Sequence, residues 1–307
     1  MAARAISADE LAAFADFSAA ADRCDRVAAY LDRLWTSGAS RPDWCLVSER
    51  DGGIVGRLAW WGMPGSEKPS VVDFLDVAPR GDEDAVVREL LDASVASLQL
   101  AGQSLAAIVD EPSPLYPEPR RVITLLNRYG FQLERVTARW KWTAGSVVPR
   151  TFLRLTFHAL EDVGRERFVA ALGRVLVGTL DRALRASSRD LTESEVAGEH
   201  WEQLAALEHE PGWYRLAFDA AGALVGLIAP ARNADGRPII AFVGVVPEQR
   251  GRGYVDELLA KATEILVATD STTIHADADI ENEPMLAAFR RGGYREFARR
   301  TELVLAP

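Results

Sequence analysis

Residues 250–253 of this chain read Arg-Gly-Arg-Gly and stand between an apolar segment and a stretch with helical periodicity. Backbone N–H groups at a helix start have no partners inside the helix and carry partial positive charge, so they bind anions. Gly251 and Gly253 allow a tight turn and a close approach of a bulky phosphate. Arg250 and Arg252 add charges that can reach phosphate oxygens. The pattern predicts a phosphate-binding turn, although taken alone it is equally typical of a solvated strand-to-helix turn.

The acidic composition makes these arginines more informative. With 35 Lys+Arg against 45 Asp+Glu, the formal net charge is −10, which argues against a nucleic-acid-binding surface. No apolar run approaches the ~18 residues that a membrane span needs. Cys24 and Cys45 do not form a CxxC pair, so no metal site is expected. The N-terminal segment carries a capping box, Ser7 with Glu10, and no signal-peptide core. We therefore expect a cytoplasmic protein.

The two halves of the chain contain the same segments in the same order, which indicates an internal repeat. Four pairs match at offsets between 163 and 170: 46–59 with 216–229, 74–79 with 242–247, 85–91 with 253–259, and 122–131 with 285–294. The first pair reads as a β-hairpin around glycines, and the last as an apolar helix ended by glycine and an aromatic residue. We predict two tandem α/β domains, at 1–147 and 148–307.

Hydrophobic periodicity predicts the elements of the second copy. Amphipathic helices are expected at about 164–185 and 192–208, followed by a hairpin at 213–229. A strand at 239–246 then leads into the Arg-Gly turn and a helix from about 254. The turn thus follows a buried strand and opens a helix, which is the context that an anion-binding loop requires.

The turn and a later segment together resemble the two signatures of the GNAT acyltransferase superfamily. The first signature, Arg/Gln-x-x-Gly-x-Gly/Ala after the fourth strand, is matched by Arg250 and Gly253. The second, Asn-x-x-Ala-x-x-x-Tyr-x-x-x-Gly-Phe, is matched by Asn282, Gly293 and Tyr294.

This resemblance covers roughly 152–307, and the repeat extends the fold, though not the motif, to the first half. It implies a mixed α/β (α+β) architecture of two tandem GNAT-like domains, as is also seen in mycothiol synthases. Each domain would have a mixed, mostly antiparallel sheet, flanked by helices and containing a splayed pair of parallel strands.

In the GNAT family acetyl-CoA lies between the two splayed strands. The resemblance implies that its pyrophosphate sits on the 250–255 backbone and its pantetheine arm pairs with the strand before it. A backbone N–H on that strand would polarise the thioester carbonyl. The acetyl-CoA-binding residues implied in this way are Val245, Val246, Arg250, Gly251, Arg252, Gly253, Tyr254, Val255, Asn282 and Phe289.

Two departures from the family pattern matter for function. Val255 replaces the last Gly/Ala of the first signature, and Phe289 replaces the tyrosine that often protonates the leaving thiolate. Phenylalanine has no proton to give, so Tyr254 or solvent would have to act as the acid.

The sequence leaves the identity of the general base open. His275, Asp277 and Asp279 alternate along one strand and therefore share one face, which makes the two aspartates candidates for binding or deprotonating an amine. The same alternation is typical of a solvent-facing polar stripe. Glu208 and Glu210 are weaker candidates, because a loop acid is more often simply solvated.

The first copy has lost the phosphate-binding residues. Opposite residues 248–253 it has Arg-Gly-Asp-Glu-Asp-Ala at 80–85, so acids replace both arginines. A diphosphate placed there would meet like charges. We expect 1–147 to be a degenerate, structural domain and 148–307 to be the catalytic one.

The leading hypothesis is an acyltransferase that transfers acetyl from acetyl-CoA directly to a primary amine of a small molecule. The second copy contains no cysteine, which excludes an acyl-cysteine relay within it. A polyamine, an aminoglycoside or a thiol-precursor amine are acceptor alternatives. The rival hypothesis, suggested by Val255 and Phe289, is a non-catalytic acyl-CoA-binding or interaction module. The protein is expected to be a monomer, with the repeat as an internal pseudo-dimer, or a homodimer.

Overall fold

The computed structural model describes residues 3–17, 21–115, 118–146, 154–187, 191–233 and 236–307. The chain forms two compact units, Met1–Val136 with Ala298–Pro307 (unit 1) and Thr137–Phe297 (unit 2). The domain boundary predicted between 147 and 148 lies outside the described residues.

Unit 1 contains most of the first sequence copy. Two short 3₁₀ turns, Ala8–Glu10 and Pro42–Trp44, flank its first two helices. Its elements in chain order are β1 (Arg4–Ala5), α1 (Leu11–Ala15), α2 (Ala21–Ser37), β2 (Cys45–Arg50), β3 (Gly53–Trp61), β4 (Val71–Val77), α3 (Glu83–Ser97), β5 (Leu105–Glu111), α4 (Pro119–Tyr129) and the start of β6 (Gln132–Thr143).

Among the described residues, unit 2 repeats this order with two more helices before its hairpin. Its elements are the end of β6, then β7 (Thr156–Ala159), α5 (Leu160–Val163), α6 (Arg165–Leu176), α7 (Arg182–Ser187), α8 (Glu193–Ala205), β8 (Arg215–Phe218), β9 (Leu224–Arg232), β10 (Pro238–Val245), α9 (Tyr254–Val267), β11 (Thr273–Asp279), α10 (Glu283–Arg291) and the start of β12 (Arg295–Leu305).

Each unit contains the last strand of the other sequence copy. The strand order is β1-β2-β3-β4-β5-β12 in unit 1 and β6-β11-β10-β9-β8-β7 in unit 2. Strand β12 pairs antiparallel with β5, from Arg299 opposite Glu111 to Leu305 opposite Leu105. Strand β6 pairs antiparallel with β11 through its residues 137–143.

The parallel strand pair of each unit is splayed, as the sequence predicts. Strands β10 and β11 are in parallel register only at Ile239 opposite His275. Strands β4 and β5 are in register only at Val71 and Val72. Past these positions the two strands of each pair separate, which leaves an edge of β10 without a strand partner. The mixed, mostly antiparallel sheets with flanking helices confirm the predicted fold class.

Helices α6 and α9 approach β9 and β10 where the strands carry glycine. A Cβ on Gly244 would lie 2.2 Å from the Cγ1 atom of Val175, which is on α6. A Cβ on Gly226 would lie 2.1 Å from the carbonyl oxygen of Gly244 and 3.1 Å from Leu258 on α9. These strands therefore need glycine in order to pack at this spacing.

The helix predicted at 164–185 is interrupted. Helix α6 ends at Leu176 and α7 begins at Arg182. Gly178 between them has a φ of +63°, in the left-handed region that favours glycine. The next predicted helix does form, and it begins with a capping box: Thr192 accepts the N–H of Glu195, whose carboxylate accepts the N–H of Thr192.

Unit 1 encloses a buried arginine where unit 2 is apolar. The Arg57 side chain is 0% exposed, and it donates to Asp76 on the neighbouring strand at 3.1 Å and to the Ala15 carbonyl at 3.0 Å. The corresponding cross-strand pair in unit 2 is Leu227 with Gly244. Because breaking a buried ion pair costs free energy, Arg57 and Asp76 have a structural role in this part of unit 1.

We expect Gly226→Ala to destabilise the protein by about 2–3 kcal/mol, because the added methyl meets a backbone oxygen that cannot move without opening the sheet. Gly198→Ala in α8 is the matched control, since a Cβ there meets no described atom within 4 Å. The control should gain about 0.5–1 kcal/mol from helix propensity. Urea unfolding of both variants measures this, and equal stabilities would contradict the packing argument.

Candidate active site

The Arg-Gly turn lies at the carboxyl end of β10, where the splayed strands separate. A 3₁₀ turn, Pro247–Gln249, follows the strand and α9 begins at Tyr254. Gly251 and Gly253 have φ values of +75° and +73°. A Cβ at either glycine would meet no atom of the described residues within 4 Å. The backbone conformation requires glycine here, and the space beside it is open.

The turn presents unused backbone donors. Within the described part of the chain, the N–H groups of Gly251 to Val255 donate no hydrogen bond. Helix α9 also has no side-chain cap, and its first backbone bond is a long one of 3.3 Å from Asp256 to the Gly253 carbonyl. Uncapped N–H groups at a helix start attract an anion.

The Arg250 guanidinium is used inside the protein. Its Nε donates to the Val245 carbonyl at 3.1 Å. Its Nη2 donates to the carbonyls of Val175 at 2.9 Å and Val177 at 2.8 Å, and its Nη1 donates to Gly178 at 3.2 Å. The cation thus caps the carboxyl end of α6 and ties it to the end of β10, where it also opposes the negative end of the helix dipole.

Two other arginines supply charge at the turn. The Arg252 side chain is exposed. The Arg154 guanidinium donates to the carbonyls of Arg252 at 3.2 Å and Gly253 at 3.3 Å, and lies 4.7 Å from the centre of the Tyr254 ring. The carboxylate of buried Glu257, on α9, accepts the backbone N–H of Arg154 at 3.0 Å and so holds Arg154 in place. The sequence analysis missed Arg154, which is 96 residues from Arg250 in the chain and carries no motif.

The open edge of β10 carries backbone donors of its own. The Val246 N–H donates to Val225 on the β9 side at 2.9 Å. Because strand residues alternate in direction, the backbone groups of Val243 and Val245 face the splay toward β11. The Val245 carbonyl is taken by Arg250. The N–H groups of the two valines face the space that the separated strands leave.

The predicted acidic residues on β11 share one face, and each has a protein partner. The Asp279 side chain is 3% exposed and accepts the backbone N–H of Arg182, at the start of α7, at 2.6 Å. Asp277 forms an ion pair with Arg139 at 3.5 Å. The ring of His275 packs edge-on against Phe297. A base role for Asp277 or Asp279 stays a prediction, and each would first have to be released from its present partner.

The other predicted residues surround the turn or support it. Tyr254 and Val255 are half-buried in the first turn of α9. Asn282 caps α10, since its Oδ1 accepts the Met285 N–H at 3.3 Å. Phe289 is 2% exposed and stacks on Trp140 with ring centres 5.7 Å apart. A ring at the Phe289 position is therefore part of the core of unit 2.

A histidine that the sequence analysis did not select lies beside β10. The His200 ring, on α8, packs edge-on against Phe242 with centres 5.0 Å apart. Its Nδ1 lies 3.4 Å from Oε1 of Gln203, and its Nε2 is buried without a hydrogen-bond partner in the described residues. Burial lowers the pKa of His200 below its ordinary value of 6.5, although Gln203 and Asp181 oppose this.

The corresponding turn of unit 1 is filled by the protein itself. The N–H of Glu83 and the N–H of Gly81, together with the Arg121 guanidinium, hold the pKa of the Glu83 carboxyl below its usual range. Arg121 donates to Glu83 at 3.1 Å and to the carbonyl of Val77, at the end of β4, at 2.8 Å. A carboxylate of the chain thus lies where a phosphate would have to bind.

A groove of about 460 Å³ lies between α6 and α8. None of the residues predicted for the site lines it. Its lining residues are Arg165, Glu166, Val169, Ala170, Gly173, Arg174, Glu193, Ser194 and Ala197.

The described residues contain neither a cluster suited to a metal ion nor a helix suited to a membrane. No group of three or more His, Cys, Asp or Glu side chains is placed to hold a metal ion. No helix combines the length and apolar character that crossing a bilayer requires.

Most of unit 2 is similar to one known protein family. Residues 180–294 match the model of the acetyltransferase (GNAT) family. The matched region contains the turn, the splayed strands and helix α10. This part of the chain is similar to the GNAT family, whose fold supports acyl-CoA-dependent acetyl transfer. No curated protein matches the chain.

Solved structures extend the fold to the whole chain. A GCN5-related N-acetyltransferase from Sphaerobacter thermophilus is 17% identical with a TM-score of 0.63, and the match covers 99% of this chain and 94% of that one. A tandem GNAT protein from the clavulanic acid biosynthesis pathway is 15% identical with a TM-score of 0.51, covering 85% and 82%. A GCN5-related N-acetyltransferase from Kribbella flavida is 16% identical with a TM-score of 0.53, covering 94% and 96%. The predicted tandem GNAT fold is confirmed.

We expect Arg250→Ala to lower the free energy of unfolding by roughly 1–2 kcal/mol, because the carbonyls at the end of α6 lose their charged donor. Arg250→Lys should recover only part of this, since an ammonium cannot span the same carbonyls. Urea unfolding measures both variants. A wild-type stability for Arg250→Ala would show that this arginine does not hold the turn.

His200 should make stability depend on pH. Because its folded-state pKa is lowered, the stability that it contributes is fully present above 6.5 and is lost as pH falls through the folded-state value. We expect the free energy of unfolding to fall as pH drops below 6.5, and to fall less in His200→Gln. Urea unfolding at a series of pH values tests this, and identical slopes would contradict it.

Proposed function

We propose that the protein is an N-acetyltransferase, with its active site in unit 2, that transfers the acetyl group of acetyl-CoA directly to a primary amine of a small molecule. The observation that carries the proposal is the row of free N–H groups from Gly251 to Val255, at the mouth of the β10–β11 splay. It is supported by the GNAT-family match over residues 180–294.

The residues at the turn fit a diphosphate. Gly251 and Gly253 leave open the space that a side chain would fill, and the uncapped start of α9 favours negative charge. The Arg252 side chain is exposed beside them, and Arg154 braces the carbonyls of the same turn. The backbone would hold the diphosphate, while Arg250 would act indirectly by fixing the turn.

Bound acetyl-CoA would supply an acetyl group activated as a thioester. The N–H groups of Val243 and Val245 face the splay, where they can stabilise negative charge that develops on a carbonyl oxygen. The acceptor amine forms the new bond to the acetyl carbon as the thiol leaves, and it loses a proton to a base or to water. Asp277 and Asp279 remain candidates for the base, and Tyr254 or solvent for the acid.

The rival function is a module that binds acyl-CoA without turning it over. Phe289 favours this alternative, because its buried ring stands where the family usually has an acidic tyrosine. A CoA thiol is a good leaving group, however, so solvent can protonate it. Both functions require the same turn, and they differ only in turnover.

Turnover can be tested with a panel of primary amines, acetyl-CoA and a free-thiol readout. We expect at least one amine to release CoA well above the rate of hydrolysis. Mass spectrometry of the acetylated product confirms that the amine, and not water, is the acceptor. Tight acetyl-CoA binding with no amine-dependent release would instead establish the rival function.

Binding can be tested with substitutions in the turn. Gly253→Asp should abolish acetyl-CoA binding, because a carboxylate would enter the space beside the free N–H groups. Gly222→Asp is the matched control, since Gly222 also has a positive φ (+77°) and open space, but lies in the β8–β9 hairpin. Isothermal titration calorimetry measures both variants, and retained affinity in Gly253→Asp would overturn the assignment.

The contribution of the Arg252 charge to acetyl-CoA binding can be tested separately. Arg252→Glu should weaken acetyl-CoA binding by about tenfold or more, whereas Arg295→Glu, an equal charge change at an exposed residue starting β12, should not. Equal losses in both variants would indicate a general effect of net charge. The affinities should be compared at one ionic strength, because exposed charges are screened by salt.

A further inference from the structure

Apolar side chains are concentrated where the splay of unit 2 opens. In the described part of the chain, five large apolar residues are markedly exposed, and three of them belong to unit 2: Val177, Leu180 and Ile280, at 40%, 40% and 38%. Single exposed apolar residues are ordinary. These three lie on only two segments, the α6–α7 connection and the end of β11.

The α6–α7 connection is attached to both strands of the splay. At one end, the carbonyls of Val177 and Gly178 are held by Arg250, which also binds the end of β10. At the other end, the Arg182 N–H donates to Asp279 at the end of β11, at 2.6 Å. The connection therefore lies across the open end of the splay.

Leu180 and Ile280 flank the second attachment. Leu180 precedes Arg182 by two residues, and Ile280 directly follows Asp279. Beyond Ile280, Glu281 pairs with Arg185 of α7 at 3.3 Å, so the two segments are joined on both sides of Ile280.

Several acidic side chains around this mouth have partners within the protein. Each has an arginine or a backbone N–H as partner: Glu248 with Arg174, Asp277 with Arg139, Asp279 with the Arg182 N–H, and Glu281 with Arg185. A polycation would have to displace several of these partners, whereas an apolar group needs only uncovered apolar surface.

We propose that the acceptor is a primary amine carrying an aryl or alkyl group, and that Leu180 and Ile280 contact this group at the mouth of the splay. The inference rests on the proposed acetyl transfer and narrows its acceptor class. It disfavours polyamines and aminoglycosides in spite of the acidic net charge of the chain.

The test compares 2-phenylethylamine and hexylamine with spermidine and kanamycin, using acetyl-CoA and the free-thiol readout. We expect kcat/KM to be at least tenfold higher for the two apolar amines. Leu180→Asn and Ile280→Asn should each raise KM for the apolar amines about five- to tenfold, because polar groups replace the apolar contact. Acetyl-CoA affinity, measured by calorimetry, should be unchanged in both variants, which also shows that they are folded.

Leu133→Asn is the control, since Leu133 is 52% exposed but belongs to unit 1, and it should leave every constant unchanged. A preference for spermidine or kanamycin, or unchanged KM values in both mouth variants, would overturn the inference and leave acetyl transfer standing. A preference for octanoyl-CoA over acetyl-CoA that Leu180→Asn removes would assign the surface to the acyl chain and also overturn it. Failure of all amines would overturn the proposed function itself.

Discussion

Hydrogen bonds from the Arg250 guanidinium to the end of strand β10 and to the end of helix α6 hold the candidate site together. Arg250 donates to the last residue of β10 and to three carbonyls at the end of α6. It thereby sets where the turn leaves the sheet and where the α6–α7 connection crosses the splay. With the arginine occupied in this way, the turn keeps its backbone N–H groups free and relies on Arg252 for exposed charge.

Much of this arrangement was predictable, because it depends on local chemistry. The glycines at 251 and 253 are needed for their positive φ, and they identified the turn in advance. The hairpins followed from repeat matching, and the splayed strands were implied by the family resemblance. The turn and the hairpins are encoded within a few neighbouring residues, so the sequence alone indicates them.

The features that were missed depend on contacts between distant residues. Periodicity predicted one helix at 164–185, since only the carbonyl bonds to Arg250, 72 to 75 residues away, reveal why it stops at Leu176. The exchange of β6 and β12 between the units has no local signal, because each strand pairs with a strand that is distant in the sequence. Asp279 looked like a base in the sequence, and only the structure places its carboxylate on the first amide of α7.

The two turns together give a physical reason why one copy remains suited to an anion and the other does not. A backbone that turns into a helix leaves N–H groups that need negative charge in either copy. In unit 1 the chain supplies that charge through Glu83, and Arg121 neutralises it in turn. In unit 2 the residues next to the glycines are arginines. The N–H groups from Gly251 to Val255 donate no hydrogen bond within the described residues. Acids at one turn and arginines at the other thus distinguish a turn that the chain itself satisfies from one whose N–H groups are left for the proposed ligand.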